Sequence, residues 1–351
     1  MRAAAAGAAP AGLNVPAGPD DAADESSYLV RVSRPAMACE FEVCLRAGQY
    51  VQGTEMALEA LDLVEQLEAQ MSVFRPASEI SRINLTAAQG PVEVEPRLFA
   101  LLELAMQLYR QTGGAYDITA GPLWEAWGFA RRAGAIPAAD RLAAARKLVG
   151  GHRVKLDPAG RTIRFLQPGV RLNMGSIGKG YAVDRGAERL LQAGVADFLF
   201  QGGNSSVRAH GGHAPPPAES PAGAAAFWIV GIRHPLHPEQ RLAEVKLSDR
   251  ALGTSGAQFQ SFRHQGRRYG HILDPRSGWP AEGVLSATVL APTAALADAL
   301  STAFYVLGPE AALNYCRQHA DIAAVIVTPA AHGSGVEIHS AGLDEEQWRV
   351  L

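Results

Sequence analysis

Strand-like and helix-like stretches are interleaved along this chain, and few follow the strict strand–helix–strand order that a parallel sheet requires. Residues 41–45 alternate as a half-buried strand does. Met56, Leu58, Leu61, Val64 and Leu67 recur at helical spacing, which predicts a helix over 53–70. Further helices are expected over 98–109, 122–129, 142–148, 295–307 and 309–318, and from a glycine loop to Gln192. A hairpin is expected from 154–156 and 162–165 around Pro158-Ala159-Gly160. Strands are expected over 170–172, 198–200, 206–209, 227–232, 241–247, 258–264 and 268–273, with a last one over 323–327. Residues 80–85 are too short a stretch to assign. This mixture predicts an α+β fold, with mixed, largely antiparallel sheets and packed helices, rather than a doubly wound sheet.

Composition narrows the class. Of 351 residues, 48 % are apolar and 19 % charged, enough to fill a large core and too few charges for a disordered chain. The 32 basic and 35 acidic residues leave no cationic footprint for a phosphate backbone, so no nucleic-acid partner is expected. No apolar run approaches about 18 residues, so no membrane span is expected. Cys39, Cys44 and Cys316 match no zinc or redox spacing. Residues 1–27 are Ala, Gly, Pro and Asp without a dense apolar block, which predicts a disordered tail and a cytoplasmic chain. Residues 210–226 hold four prolines and read as a surface loop. Pieces of one apparent site lie on both sides of that loop, so 28–351 is expected to be one large domain.

Four stretches could carry chemistry. Asp298 stands among Ala, Leu and Phe in AALADALSTAFYVLG, where an ionised carboxylate costs several kcal/mol unless paired or ligated. Thr302, one turn on, places a hydroxyl over the same face, and such hard oxygens suit Mg²⁺. The plainer alternative is that Asp298 caps a neighbouring loop or pairs with an arginine. NMGSIGKGYAVD (173–184) offers backbone N–H groups to an anion, although it fits neither the Walker nor the dinucleotide pattern; a tight turn is the alternative. His271 in GHILDPRSGWP adjoins a turn with Asp274 and Arg276, as a cleft histidine or a structural one. Asp117 in GGAYDITAGPLWEAWGF precedes a Pro-started helix and could simply cap a turn. Trp124, Trp127 and Phe129 read as core in preference to a platform for a flat ring.

Taken in order, MACEFEV, MSVFRPASEISRIN, GGAYDITAGPLWEAWGF, LNMGSIGKGYAVD, QGGN, GTSG, GHILDPRSGWP and TVLAPTAALADALSTAFYVLG resemble the ApbE family of FAD:protein FMN transferases, from about Met37 to Gly308. The resemblance implies an ApbE-like, T-fold-like domain that uses Mg²⁺ to move FMN from FAD onto a threonine hydroxyl of a flavin-acceptor reductase subunit, releasing AMP. It implies metal ligation by Asp298, Thr302 and the Ser176 carbonyl. It puts Met37, Phe74, Ala115, Tyr116, Asp117, Asn173, Lys179 and His271 at dinucleotide contacts, with His271 near the scissile pyrophosphate and Asp298 and His271 as the catalytic pair. A base could be His271 or a carboxylate such as Asp274. Many relatives are exported, which makes the periplasm the alternative compartment; a monomer or homodimer is expected. The chain departs from the family with Asn at 173 and 204, Ala257 to Gln260 after GTSG, and Phe74 for a frequent Tyr. A Mg²⁺-dependent FAD pyrophosphatase and a non-catalytic flavin-binding protein therefore stand beside the transferase.

Overall fold

A computed structural model describes residues 28–131, 133–213, 226–256 and 260–351. The expected tail (1–27), most of the Pro-rich loop (214–225) and residues 257–259 lie outside the described residues. In chain order the strands are β1 (Leu29–Ala36), β2 (Cys39–Arg46), β3 (Val92–Glu93), β4 (Val154–Asp157), β5 (Thr162–Phe165), β6 (Phe198–Gly202), β7 (Ser206–His210) and β8 (Trp228–Arg233). They continue with β9 (Arg241–Leu247), β10 (Ala251–Gly256), β11 (Ser261–His264), β12 (Arg267–Gly270), β13 (Ser286–Ala291), β14 (Ala323–Pro329), β15 (Val336–Ala341) and β16 (Trp348–Val350). The helices are α1 (Gly53–Met71), α2 (Glu79–Thr86), α3 (Pro96–Gln111), α4 (Gly121–Ala126), α5 (Ala139–Arg146), α6 (Gly178–Gln192), α7 (Ala294–Leu307) and α8 (Pro309–Gln318).

The expected α+β class is what forms. Eight strands make one antiparallel sheet in the order β1-β2-β6-β7-β10-β13-β14-β15. Alternation sorts its side chains. Phe41, Val43 and Leu45 of β2 and Ala287, Val289 and Ala291 of β13 join the core shared with α1, α3, α6 and α7. Cys44, Leu290 and Val325 point the other way, into a second core under the sheet β16-β9-β8. A third core joins α4, α5 and β12 around Trp127 and Phe129.

Three expectations change. Residues 170–172 are not a strand: only Arg171 forms an isolated bridge, to Ala120. The Asn84 side chain takes the place of a strand partner, accepting from the Leu172 N–H (2.7 Å) and donating to its carbonyl (3.0 Å). Residues 80–85 lie within helix α2, started by the Ser78 hydroxyl, which accepts from the Ser81 N–H. The strand over 323–327 is not the last, since β15 extends the large sheet and β16 pairs with β9.

Candidate active site

Helices α6 and α7 meet at their N-termini, and the sequence makes that meeting very close. A Cβ on Gly180 would lie 2.1 Å from the Ala294 carbonyl oxygen, and strand β10 approaches α7 as closely, a Cβ on its Gly253 lying 2.5 Å from the Ala297 carbonyl carbon. Only hydrogen fits at either position. Such proximity lets each helix cap the other. Asp184 of α6 accepts from the Ala294 and Ala295 N–H groups at the start of α7, both at 2.8 Å. Asp298 of α7 accepts from the Gly180 N–H in the first turn of α6, at 2.7 Å. Each carboxylate thus fills part of the other helix's unsatisfied first turn.

Their surroundings differ. Asp184 also takes the Arg208 guanidinium at 2.8 Å. Asp298 takes the Ser206 hydroxyl, 2.8 Å from both of its oxygens, and has no ion-pair partner among the described residues. Burial pushes its carboxyl up to about 7, against the pull of the nearby Lys179 ammonium, the Ser206 hydroxyl and the Gly180 N–H. Lys179 donates to the Ser205 hydroxyl. The plainer expectation for Asp298 is thus met in its capping half and not in its arginine half.

Around this carboxylate the chain gathers oxygens. Thr302 Oγ1 lies 3.2 Å from the Asp298 backbone carbonyl and 3.1 Å from Ser255 Oγ. Tyr116, fully buried, reaches Ser176 with its hydroxyl at 3.4 Å, just ahead of α6. Asn173 holds the intervening loop, its Oδ1 accepting from the Gly175 N–H at 2.9 Å. That bond needs only a carbonyl oxygen, so the amide does there what a carboxylate would do.

The donor set can be tested against a metal. Among the described residues no three His, Cys, Asp or Glu side chains cluster as a cage. The site offers one buried carboxylate, hydroxyls and backbone carbonyls. That excess of hard oxygen, with most of the coordination left to water or ligand phosphates, fits Mg²⁺ and not a thiolate or imidazole metal.

Other sequence candidates frame this centre. Met37 (φ 49°) and Ala38 (φ 60°) form the two-residue turn joining β1 and β2, both in the left-handed region without being glycine. A tight two-residue hairpin turn demands this conformation at both positions. The neighbouring Cys39 thiol feels both Lys179 and Asp298, although burial dominates and raises its pKa. His271 follows β12 directly, and its Nδ1 lies 3.0 Å from the Gln260 carbonyl. A carbonyl only accepts, so Nδ1 carries the proton and the neutral ring keeps its lone pair on Nε2. Burial, aided by Lys179, lowers the pKa of His271, which favours that neutral form.

Phe74 is 67 % exposed and faces Trp124 at 6.3 Å between ring centroids. Trp127 and Phe129 are core as expected, and Trp124 packs half-buried against that core while forming an aromatic shelf with Phe74. Met71, at the end of α1, packs near Gly178, and Gly121, opening α4, lies against Arg171. Asp117 spends its carboxylate elsewhere, on the Thr119 N–H and hydroxyl and on the Gly151 N–H at 3.1 Å, the turn-capping alternative. Ala115 is buried beside Tyr116. Asp274 is bound by the Arg276 side chain.

Sequence reasoning missed Asp184, Ser205, Ser206 and Ser255. Asp184 and Ser255 lie inside quoted blocks, and Ser205-Ser206 directly follows QGGN. Their partners come from elements far along the chain, so no local spacing marks them.

Comparison with known proteins identifies the family and the fold. A model of the ApbE family matches residues 37–326. The chain is 30 % identical over 308 residues to the FAD:protein FMN transferase of Haemophilus influenzae, covering 85 % of this chain and 86 % of that one. It is 32 % identical over 279 residues to the FAD:protein FMN transferase of Treponema pallidum, covering 77 % and 76 %. The fold matches the apo crystal structure of the flavinyl transferase ApbE of Pseudomonas stutzeri with a TM-score of 0.75 at 30 % identity, over 89 % of this chain and 94 % of that one.

Proposed function

Because the chain belongs to the ApbE family, we propose that it is an FAD:protein FMN transferase that moves the FMN half of FAD onto a threonine hydroxyl of an acceptor protein and releases AMP. The observation that carries this reading is Asp298: a buried carboxylate, held in place by neutral donors, with no ion-pair partner among the described residues.

In the reaction the acceptor oxygen forms a bond to the FMN-side phosphorus, and the bond from that phosphorus to the AMP oxygen breaks. AMP leaves with the electron pair. His271 Nε2 takes the acceptor proton, its ring held by the Gln260 carbonyl. Mg²⁺ bound by Asp298, Thr302 and the Ser176 carbonyl would supply the charge neutralisation that phosphoryl transfer needs. Lys179 adds a second positive charge, positioned by Ser205. The Asn173–Gly178 loop leads into the first turn of α6, with its Asn173, Gly175, Ile177 and Gly178 N–H groups bonded within the protein, and so sets Lys179 at the helix start. The Phe74–Trp124 shelf takes a flat ring of the dinucleotide.

Incubation with FAD, Mg²⁺ and an acceptor protein, read by intact mass, is the test. The expected result is an FMN-sized increment on one threonine of the acceptor with one AMP released per increment. Free FMN and AMP without modified acceptor would replace the transferase reading by a pyrophosphatase.

A further inference from the structure

A cleft of about 510 Å³ opens beside the Gly113–Asp117 turn. Its walls carry Arg146 and Lys147 at the end of α5, His152 and Arg153 in the following turn, and Arg276 after His271. The chain as a whole has a net charge of -3, so this is a local surplus of positive charge. Arg276 is matched by Asp274. Arg146, Lys147 and Arg153 have no carboxylate partner among the described residues: Arg146 donates to the Arg276 carbonyl, and Arg153 to the Val149 carbonyl and the Gln167 side chain. The one acid in the lining, Asp117, has both oxygens occupied by Thr119 and Gly151.

The cleft is open to solvent and its lining is about equally polar and apolar, so an extended chain segment can lie along its charged rim. Its rim is fixed relative to the site, because the turn after His271 is closed by the Gly278 N–H to Asp274 carbonyl bond (2.7 Å) and pinned by Trp127 Nε1 on the Gly278 carbonyl (2.8 Å). We propose that this cleft docks an acidic segment of the acceptor protein, steering the hydroxyl beside it toward His271. The proposal rests on the transferase reading. Unpaired cations on a rim act mainly through encounter and salt-sensitive affinity.

The test uses the full chain and a fluorescein-labelled short peptide with glutamates flanking one threonine, beside its glutamine counterpart. The glutamate peptide is expected to bind and to weaken steeply from low to physiological salt, and the glutamine peptide to bind about tenfold less tightly or worse. Lys147→Glu, and separately Arg153→Gln, should lower glutamate-peptide affinity while leaving FAD affinity unchanged. Equal binding of both peptides, or wild-type affinity in both variants, overturns the proposal. So does displacement of the peptide by AMP or inorganic phosphate together with weakened FAD binding in Lys147→Glu, which would make the cleft part of the nucleotide site. Failure of the unaltered chain to bind FAD would instead count against the transferase reading, leaving the peptide result to be judged by itself.

Discussion

Asp184 and Asp298 are the same side chain doing the same backbone task. Each sits on one of two touching helices and accepts from the first turn of the other. They part company in charge. Asp184 is completed by Arg208, whereas Asp298 is surrounded by a serine hydroxyl and an amide and sits beside a lysine that is bonded elsewhere. Burial raises the pKa of both, so burial alone does not distinguish a structural acid from a functional one. The distinction lies in whether the protein itself supplies the counter-charge. Where it does, the carboxylate belongs to the architecture; where it does not, the site has room for a cation from outside.

The sharpest way to break this contrast is Asp298→Asn, which keeps an acceptor for the Gly180 N–H and removes the charge. FMN transfer should fall by about a thousandfold, the several kcal/mol a hard cation supplies in phosphoryl transfer. The metal-free variant should also resist denaturant better than the parent at alkaline pH, since it no longer buries a lone anion. Undiminished transfer would show that Asp298 is an architectural acid like Asp184.

Asp184→Ala should do the reverse. It strips a cap from α7 and strands Arg208, costing about 3 kcal/mol of unfolding free energy in a denaturant titration. A loss below about 0.5 kcal/mol, the scale of an exposed pair, would show that Arg208 does not complete the acid.

A pH series comes next. Because the folded-state pKa of Asp298 is raised to about 7, the metal-free fold gains stability from this group as pH falls through that value. Metal binding must expel the proton. The rise in Tm on adding Mg²⁺ should therefore be full above pH 7 and shrink below it, with apparent affinity dropping about tenfold per pH unit. A pH-independent Mg²⁺ shift would place the ion elsewhere.

The smallest effect leaves both acids untouched. Trp124→Ala should weaken FAD by about two- to tenfold and leave Mg²⁺ binding unchanged, as loss of one stacked ring predicts. FAD fluorescence quenching measures it, and the same affinity in the variant would return Trp124 to a purely structural place.

Much of this was readable from residue order. An acid inside AALADALSTAFYVLG is conspicuous because its neighbours are apolar, and the helix forms as expected, with the Thr302 hydroxyl on the Asp298 backbone carbonyl. Asp184 was not conspicuous, since its partners arrive from 110 and 111 residues away. Strand β13 carries no alternation because both its faces are covered, and β1 and β15 were missed as half-exposed edge strands. Residues 170–172 look like a strand because their apolar pattern is real, while their hydrogen-bond partner is a side chain. Trp124 keeps the company of Trp127 and Phe129, packing half-buried against their core, while its outer part faces Phe74, a contact from another element that no local spacing marks.

The mutual capping of α6 and α7 has a consequence for biosynthesis. A nascent chain emerging from the ribosome can wind α6 early, yet that helix lacks its acceptor until Asp298, 118 residues beyond Gly180, has been made. Until then the two helices cannot cap one another, and the meeting of their N-termini waits on the synthesis of α7, in the last third of the chain.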